Sequence, residues 1–139
     1  MGFSKQHATS VLSNVFAVGN KIALLSAVNT ETDAYTEMSG TGYARYSIKS
    51  GEFTTSNGIT TTAQHILFGL AESAWGTCKG IAVFASNGSL LYLAPLKEDK
   101  QIGKDTVPVF KKYNASNGDG LRITLDVVTA GTMSVNDPS

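Results

Sequence analysis

The chain has 139 residues, within the usual size range of a single domain, so two independent cores are not expected. Hydrophobic residues make up 42%, enough to close a core, and 11 basic side chains balance 11 acidic ones to a formal net charge of zero. This balance argues against nucleic-acid binding, because phosphate recognition normally needs several cations and the densest basic stretch is the pair Lys111 and Lys112.

Cysteine usage and hydropathy give little basis for redox chemistry or membrane insertion. Cys78 is the only cysteine, so it cannot form an intramolecular disulfide, and we expect it to be a small buried apolar residue. His7 and His65 lie in different local contexts, so neither is expected to activate its thiol. Polar residues and Gly19 interrupt the N-terminal apolar stretch, so the sequence predicts neither a signal peptide nor a transmembrane span, and we expect a soluble protein.

The N-terminal stretch has the apolar spacing of an amphipathic helix, with Gly19 as a stop signal after it. A lone helix of this length is marginal in water and needs a surface to pack on. Two interpretations are open: residues 1–20 cap the chain's own core, or they form an arm that docks on a neighbouring subunit. The apolar stripe consists of Val11, Leu12, Val15, Phe16 and Val18.

From residue 21 onward the pattern changes to short β-rich runs separated by Gly, Asn, Ser and Thr, which is typical of a sandwich or barrel. The runs leave no room for crossover helices, so antiparallel pairing is favoured. The sequence therefore predicts a mainly β fold: an antiparallel β-sandwich or jelly-roll-like barrel over residues 21–128, with a short N-terminal helix or arm. The predicted strands span residues 21–28, 43–49, 64–70, 79–85, 89–96, 106–111 and 121–128, with a weaker one near 52–55.

The firmest local prediction is a β-hairpin over residues 79–96. Residues 81–85 and 90–96 are apolar on both faces, so they should be central strands or strands covered by another subunit. Asn87 and Gly88 between them tolerate positive φ and suit a tight turn. Residues 43–49 and 121–127 alternate instead, which predicts one solvent face on each strand.

Three polar stretches are predicted to lack regular structure. Residues 30–41 and 116–120 are polar and glycine-containing, so we expect loops. The tail, residues 129–139, lacks a long apolar pattern and is expected to be mobile or to be ordered only by a partner.

Candidate chemical motifs fail on their spacing. Gly40-Thr-Gly42 begins like a dinucleotide fingerprint, but Arg45 stands where the third glycine belongs and a predicted strand follows. The stretch 114–120 alternates oxygen-bearing side chains like a calcium loop, but Leu125 occupies the place of the closing Glu. We therefore expect no enzyme, no catalytic, cofactor-binding or metal-binding residues, and no cofactor.

Several short motifs follow one another in a recognisable order. They are Ser39-Gly-Thr-Gly-Tyr-Ala-Arg45, Ala74-Trp75-Gly76, Gly80-Ile-Ala-Val-Phe84, the run from Gly88 to Leu96, Lys100-Gln-Ile102 and Leu121-Arg-Ile-Thr-Leu-Asp126. The ordered set resembles the small virion structural proteins of tailed bacteriophages, both tail-fibre-like and decoration-type β-sandwich proteins. The resemblance implies a non-enzymatic virion component that is assembled in the cytoplasm of the host bacterium.

Two functions compete at this point. The favoured one is a capsid decoration (cement) or tail-attached protein that binds other virion proteins, namely major capsid or tail subunits, and forms a homo-oligomer. The chain is short for a receptor-binding fibre and has no repetitive stalk; no nucleic-acid or membrane partner is expected. The alternative is a tail-fibre-type module that binds host glycans through Trp75, Tyr43 or Tyr113 on exposed loops. The candidate interface residues are Val11, Val15, Phe16, Tyr43, Trp75 and Tyr113.

Overall fold

A computed structural model of the chain describes residues 5–114, 116, 120–123, 128–132 and 134–136. The fold is mainly β, with 50% strand and 9% helix, and its antiparallel sheets curl into a half-barrel, which confirms the predicted fold class. Helix α1 spans Lys5–Val15. The strands are β1 (Lys21–Asn29), β2 (Ala34–Glu37), β3 (Tyr46–Ser47), β4 (Phe53–Ser56), β5 (Ile59–Thr62), β6 (Ile66–Leu67), β7 (Gly76–Phe84), β8 (Leu90–Ile102), β9 (Val107–Phe110), β10 (Gly120–Ile123), β11 (Val128–Thr132) and β12 (Ser134–Asn136).

Three antiparallel sheets make up the described part of the fold. Sheet A has the strand order β2-β1-β7-β8, and β3 also pairs with β1. Sheet B has the order β11-β10-β5-β4, and sheet C has the order β12-β9-β6. Sheet A contains the longest strands, so it is the frame on which the surrounding loops are held.

The predicted hairpin is confirmed as β7 and β8, which pair antiparallel. At the turn Gly88 has φ +93°, a left-handed conformation that favours glycine, and Asn87 Oδ1 accepts a hydrogen bond of 2.9 Å from the Ser89 N–H. Strand β7 is central, as predicted, whereas β8 pairs with β7 alone among the described strands. The register shifts between Val83 and Phe84, so Leu91 has no residue opposite it on β7.

The two faces of sheet A carry separate apolar clusters, which explains why residues 81–84 are apolar at every position. The inner face contributes Ile22, Leu24, Ile81 and Val83 to the main core, together with residues of sheets B and C. The outer face carries a second cluster of Ala23, Leu25, Ala82 and Phe84, with Val28, Leu90 and Leu93 packed against it.

Helix α1 packs on the chain's own core. Leu12 is fully buried, and the ring of Phe16, just after the helix, lies 4.9 Å from the ring of Phe53. Thr9 Oγ1 accepts a hydrogen bond of 2.7 Å from the Gly58 N–H in the turn between β4 and β5. The chain's own core thus covers Leu12, Val15 and Phe16 of the apolar stripe, which favours the first interpretation of this segment, whereas Val18 is exposed.

Three predicted segments between residues 30 and 70 have wrong boundaries. Residues 30–41 are not all loop, because only their first part bends and β2 then returns along β1. The predicted strand 43–49 shrinks to β3, since the side chains of Tyr43 and Arg45 turn to Glu37 instead of standing on a strand. The predicted strand 64–70 likewise shortens to β6.

The described parts of the C-terminal tail pair with strands of the same chain. Strand β11 pairs with β10, and β12 pairs with β9. The expectation of a mobile or partner-ordered tail is thus wrong for residues 129–132 and 134–136, because β10 and β9 offer backbone edges to which they add. The first part of the predicted strand 121–128 is β10, and its residues 124–127 lie outside the described residues. The same holds for residues 117–119 of the predicted loop 116–120.

Candidate functional site

A network of three polar side chains ties the end of β2 to the loop that follows it. Arg45 donates two hydrogen bonds to Glu37, from Nε to Oε2 at 3.0 Å and from Nη2 to Oε1 at 2.9 Å. The Tyr43 hydroxyl donates to the same Oε2 at 2.6 Å and accepts from the Leu24 N–H at 3.1 Å. We call Glu37, Tyr43 and Arg45 the carboxylate clamp; it fixes the loop against β1.

The carboxylate clamp holds its members in fixed protonation states. The hydrogen bonds from Arg45 keep the pKa of Glu37 below its ordinary value, although burial acts in the opposite direction. Burial and, after it, the hydrogen bond to Glu37 raise the pKa of Tyr43 far above its ordinary value. The carboxylate therefore stays charged and the phenol stays protonated near neutral pH, so neither group is poised to exchange a proton.

Arg45 also covers the outer apolar cluster of sheet A. Its guanidinium carbon lies 3.9 Å from the centroid of the Phe84 ring, and the Tyr35 ring meets the same ring edge-on at 5.9 Å. A cation over an aromatic face contributes about 0.5–1 kcal/mol at a partly exposed site. Arg45 thus links the loop that follows β2 to the outer apolar cluster of sheet A.

Trp75 fastens the 39–45 loop to the 70–76 loop. Its Nε1–H donates to the Thr41 carbonyl oxygen at 3.1 Å, and the Tyr43 ring meets the indole edge-on at 5.3 Å. In return the Thr41 N–H donates to Ser73 Oγ at 3.0 Å. The two loops that carry the first two motifs of the resemblance are therefore one packed unit.

The close approach of these loops requires two glycines. A Cβ on Gly42 would overlap the Leu70 carbonyl oxygen, and a Cβ on Gly40 would lie 2.5 Å from Trp75 Cδ1. Both glycines also have positive φ, at +90° and +150°. The two glycines of Gly40-Thr-Gly42 thus allow the loops to pack closely, and this requirement explains why glycines occur here without a nucleotide-binding motif.

A second carboxylate, Glu52, is buried just before β4. It accepts hydrogen bonds from the Tyr46 hydroxyl and, at 2.6 Å, from the Lys49 N–H. Burial and, after it, the bond to Glu52 raise the pKa of Tyr46 well above its ordinary value. Both carboxylate oxygens are occupied, so this pair closes a turn and offers no free acid or base.

The single cysteine is buried away from solvent. Cys78 is fully buried, which confirms its role as a small apolar residue, and burial raises the pKa of its thiol to about 11. Among the described residues no group of three or more His, Cys, Asp or Glu side chains is close enough to hold a metal ion. Within the same residues no helix is long and apolar enough to cross a membrane.

The structure places most of the candidate interface residues in the interior. Val15, Phe16 and Trp75 belong to the main core, and Val11 and Tyr43 pack against it. Tyr113 is half-buried, and its N–H donates to the Thr62 carbonyl oxygen at 2.9 Å. Tyr43 and Trp75 are in direct ring contact, and this contact is internal, since aromatic residues satisfy a core as readily as an interface.

The large apolar side chains that are exposed in the described part of the chain are not among the candidate interface residues. They are Val18, Tyr35, Leu67, Leu70 and Leu91. Tyr35 is exposed because β2 is an edge strand, and Leu91 because it sits in a bulge; neither feature can be read from apolar periodicity alone. Two surface hollows beside β2 and the start of β8 have volumes of about 190 and 130 Å³, below the roughly 300 Å³ of a typical ligand pocket.

Comparison with known proteins shows the family to which the chain belongs. A family model described as Podophage GP4 fiber I protein gp80 matches residues 15–116. The chain belongs to this podophage fibre I family. The match confirms the resemblance to virion structural proteins of tailed phages, and the chain is a structural protein of a phage virion. No curated protein and no solved structure matches it.

The residues matched by the podophage fibre I family include both loops and every strand of sheet A. The carboxylate clamp, Trp75 and the two close-approach glycines all lie inside 15–116, whereas most of α1 and all of β10, β11 and β12 lie outside it. The loop unit held on sheet A is therefore built entirely from the matched part of the chain.

Proposed function

We propose that the chain is a tail-attached structural subunit of a podophage fibre, which works through contacts with neighbouring virion proteins. The observation that carries this proposal is the family match over residues 15–116, whose description names a fibre protein. That description favours a position on the tail over capsid decoration. The hydrogen bonds that hold the 39–45 and 70–76 loops support the same role, because a subunit that binds its neighbours in a particle needs surfaces of fixed shape.

We also propose that the subunit has no catalytic activity. General acid–base work needs a group whose pKa lies near the working pH, and nucleophilic work needs an accessible activated atom. Glu37 is locked to Arg45, both phenols in the site have raised pKa values, and the Cys78 thiol is buried with a raised pKa. These states suit structural contacts.

The alternative of a host-glycan module has less support. Sugar recognition by aromatic residues needs an exposed ring face against which the sugar stacks. Trp75 is 6% exposed and Tyr43 packs its ring on it, so neither presents such a face. Of the three aromatic residues proposed for this role, only Tyr113 is left, and it is half-buried.

The proposed partners are other virion proteins and further copies of the chain. Exposed apolar side chains on several loops and strand ends, including Leu67, Leu70 and Leu91, would lie at such contacts. The formal charge of zero favours close approach between like subunits over attraction to nucleic acid.

Quantitative peptide mass spectrometry of purified phage particles tests the proposal. The ratio of this chain to the major capsid protein is measured in intact particles and in separated tails. We expect a few copies per particle, enriched in the tail fraction together with fibre proteins. Absence from particles would overturn the proposal, and so would a copy number close to that of the capsid protein in the head fraction.

A further inference from the structure

Strand β2 is an exposed edge of sheet A. It pairs with β1 on one side and with no other described strand. Ala34, Tyr35 and Thr36 are all exposed. In an antiparallel sheet every second residue of an edge strand directs its N–H and C=O groups away from the sheet. The outer side of β2 therefore offers backbone groups to which a further strand can add.

This edge lacks the chemical features that usually prevent pairing. Its sequence, Ala-Tyr-Thr-Glu, contains neither Lys nor Pro, and the bulge in this ladder lies in β1, between Leu25 and Ala27. Its only charged side chain, Glu37, is neutralised by the two hydrogen bonds from Arg45. A second neutral strand can thus approach without repulsion.

The charges around β2 favour one direction of approach by a second copy. Glu31 and Asp33 are exposed just before the strand, and Arg45, whose side chain is 35% exposed, lies at its other end. In an antiparallel arrangement the acidic end of each strand lies beside the Glu37–Arg45 ion pair of the other, which carries no net charge, whereas a parallel arrangement would place acid beside acid. Identical strands in antiparallel register form a two-fold, self-complementary contact.

We propose that β2 pairs antiparallel with β2 of a second copy of the chain, so that sheet A continues across a two-fold axis. The proposal rests on the proposed function only in that both involve contacts between subunits. Because β2 has four residues, the pairing is weak in isolation and depends on concentration. In the particle, neighbouring contacts would raise the local concentration of the two edges.

The test compares the same substitution on two different edge strands. Thr36→Lys places a charge on the β2 edge, and Thr54→Lys places one at an exposed position of β4, the edge of sheet B. Sedimentation velocity over a concentration series gives the dimer Kd, and hydrogen exchange at low and high concentration gives the protection of backbone amides.

We expect the unaltered chain to dimerise with a Kd no weaker than about 1 mM. Thr36→Lys should weaken dimerisation at least tenfold, whereas Thr54→Lys should leave it unchanged. Amides of residues 34–37 should gain protection as the concentration rises, while those of 53–56 should not. Both variants change exposed side chains, and equal melting temperatures would show that each stays folded.

Three results would overturn the proposal: a chain that stays monomeric at about 1 mM, a Thr36→Lys variant that dimerises as tightly as the unaltered chain, or a dimer that leaves residues 34–37 unprotected. None of them bears on whether the protein occurs on phage tails. Conversely, absence from purified particles would overturn the proposed function and leave the β2 pairing in place.

Discussion

Replacing Phe16 by Ala tests whether the N-terminal segment is an integral part of the domain. The Phe16 side chain is 5% exposed, and its ring contacts those of Phe53 at 4.9 Å and Tyr92 at 5.9 Å. Truncating a buried Phe to Ala costs about 3–5 kcal/mol in unfolding free energy. Domains of this size are stable by about 5–15 kcal/mol, so a large share would be lost. At about 4 °C per kcal/mol the melting temperature would fall by 12–20 °C.

Urea unfolding followed by tryptophan fluorescence measures this loss directly. Trp75 is the only tryptophan and is 6% exposed, so its emission reports on the core. Val18→Ala is the matched control, because Val18 lies in the same segment but is 66% exposed; its change should stay within about 0.5 kcal/mol. A loss below about 1 kcal/mol for Phe16→Ala would refute the reasoning and restore the segment as an arm for another subunit.

Three further experiments probe the loops and the core. Arg45→Gln should cost about 1 kcal/mol near pH 7. The pKa of Glu37 is depressed in the folded state, so its ion pair stabilises the fold at pH values above the ordinary pKa of 4.5, and this stabilisation is lost as the pH falls through the folded pKa. In acid titrations the free energy of unfolding should therefore depend less on pH in Arg45→Gln than in the unaltered chain. Gly42→Ala should destabilise by more than about 2 kcal/mol in urea titrations, against about 1 kcal/mol for Gly19→Ala, which has similar positive φ but open space around it. At pH 8, native Cys78 should react with a disulfide reagent ~100-fold more slowly than the urea-unfolded chain, and an equal rate would show that the thiol is not buried.

The hairpin and the fold class follow from the sequence because local and long-range signals agree there. Residues 81–84 are apolar on both faces, and the turn at Asn87 and Gly88 fixes the register without help from distant residues. Such consistency between turn chemistry and apolar pattern makes a prediction robust. The mainly β class could be predicted for the same reason, because short β-rich runs alternate with turn residues along most of the chain.

The loop unit could not be predicted, because its stability comes from contacts between residues far apart in sequence. Thr41 and Trp75 are 34 positions apart, and nothing in either local sequence indicates that the indole N–H meets that carbonyl oxygen. The alternation in residues 43–49 predicted a strand, yet the hydrogen bonds to Glu37 outweigh it. Likewise the tail shows no strong pattern of its own, and its strands form because β9 and β10 have free edges.

Immunogold electron microscopy of intact phage particles tests the central claim most directly. An antibody against the folded chain is applied to particles of the phage that encodes it, with particles from a deletion strain as the control. A structural subunit of a fibre predicts label confined to the tail end of each particle. Label spread evenly over the heads, or equal label on deletion particles, would contradict the assignment.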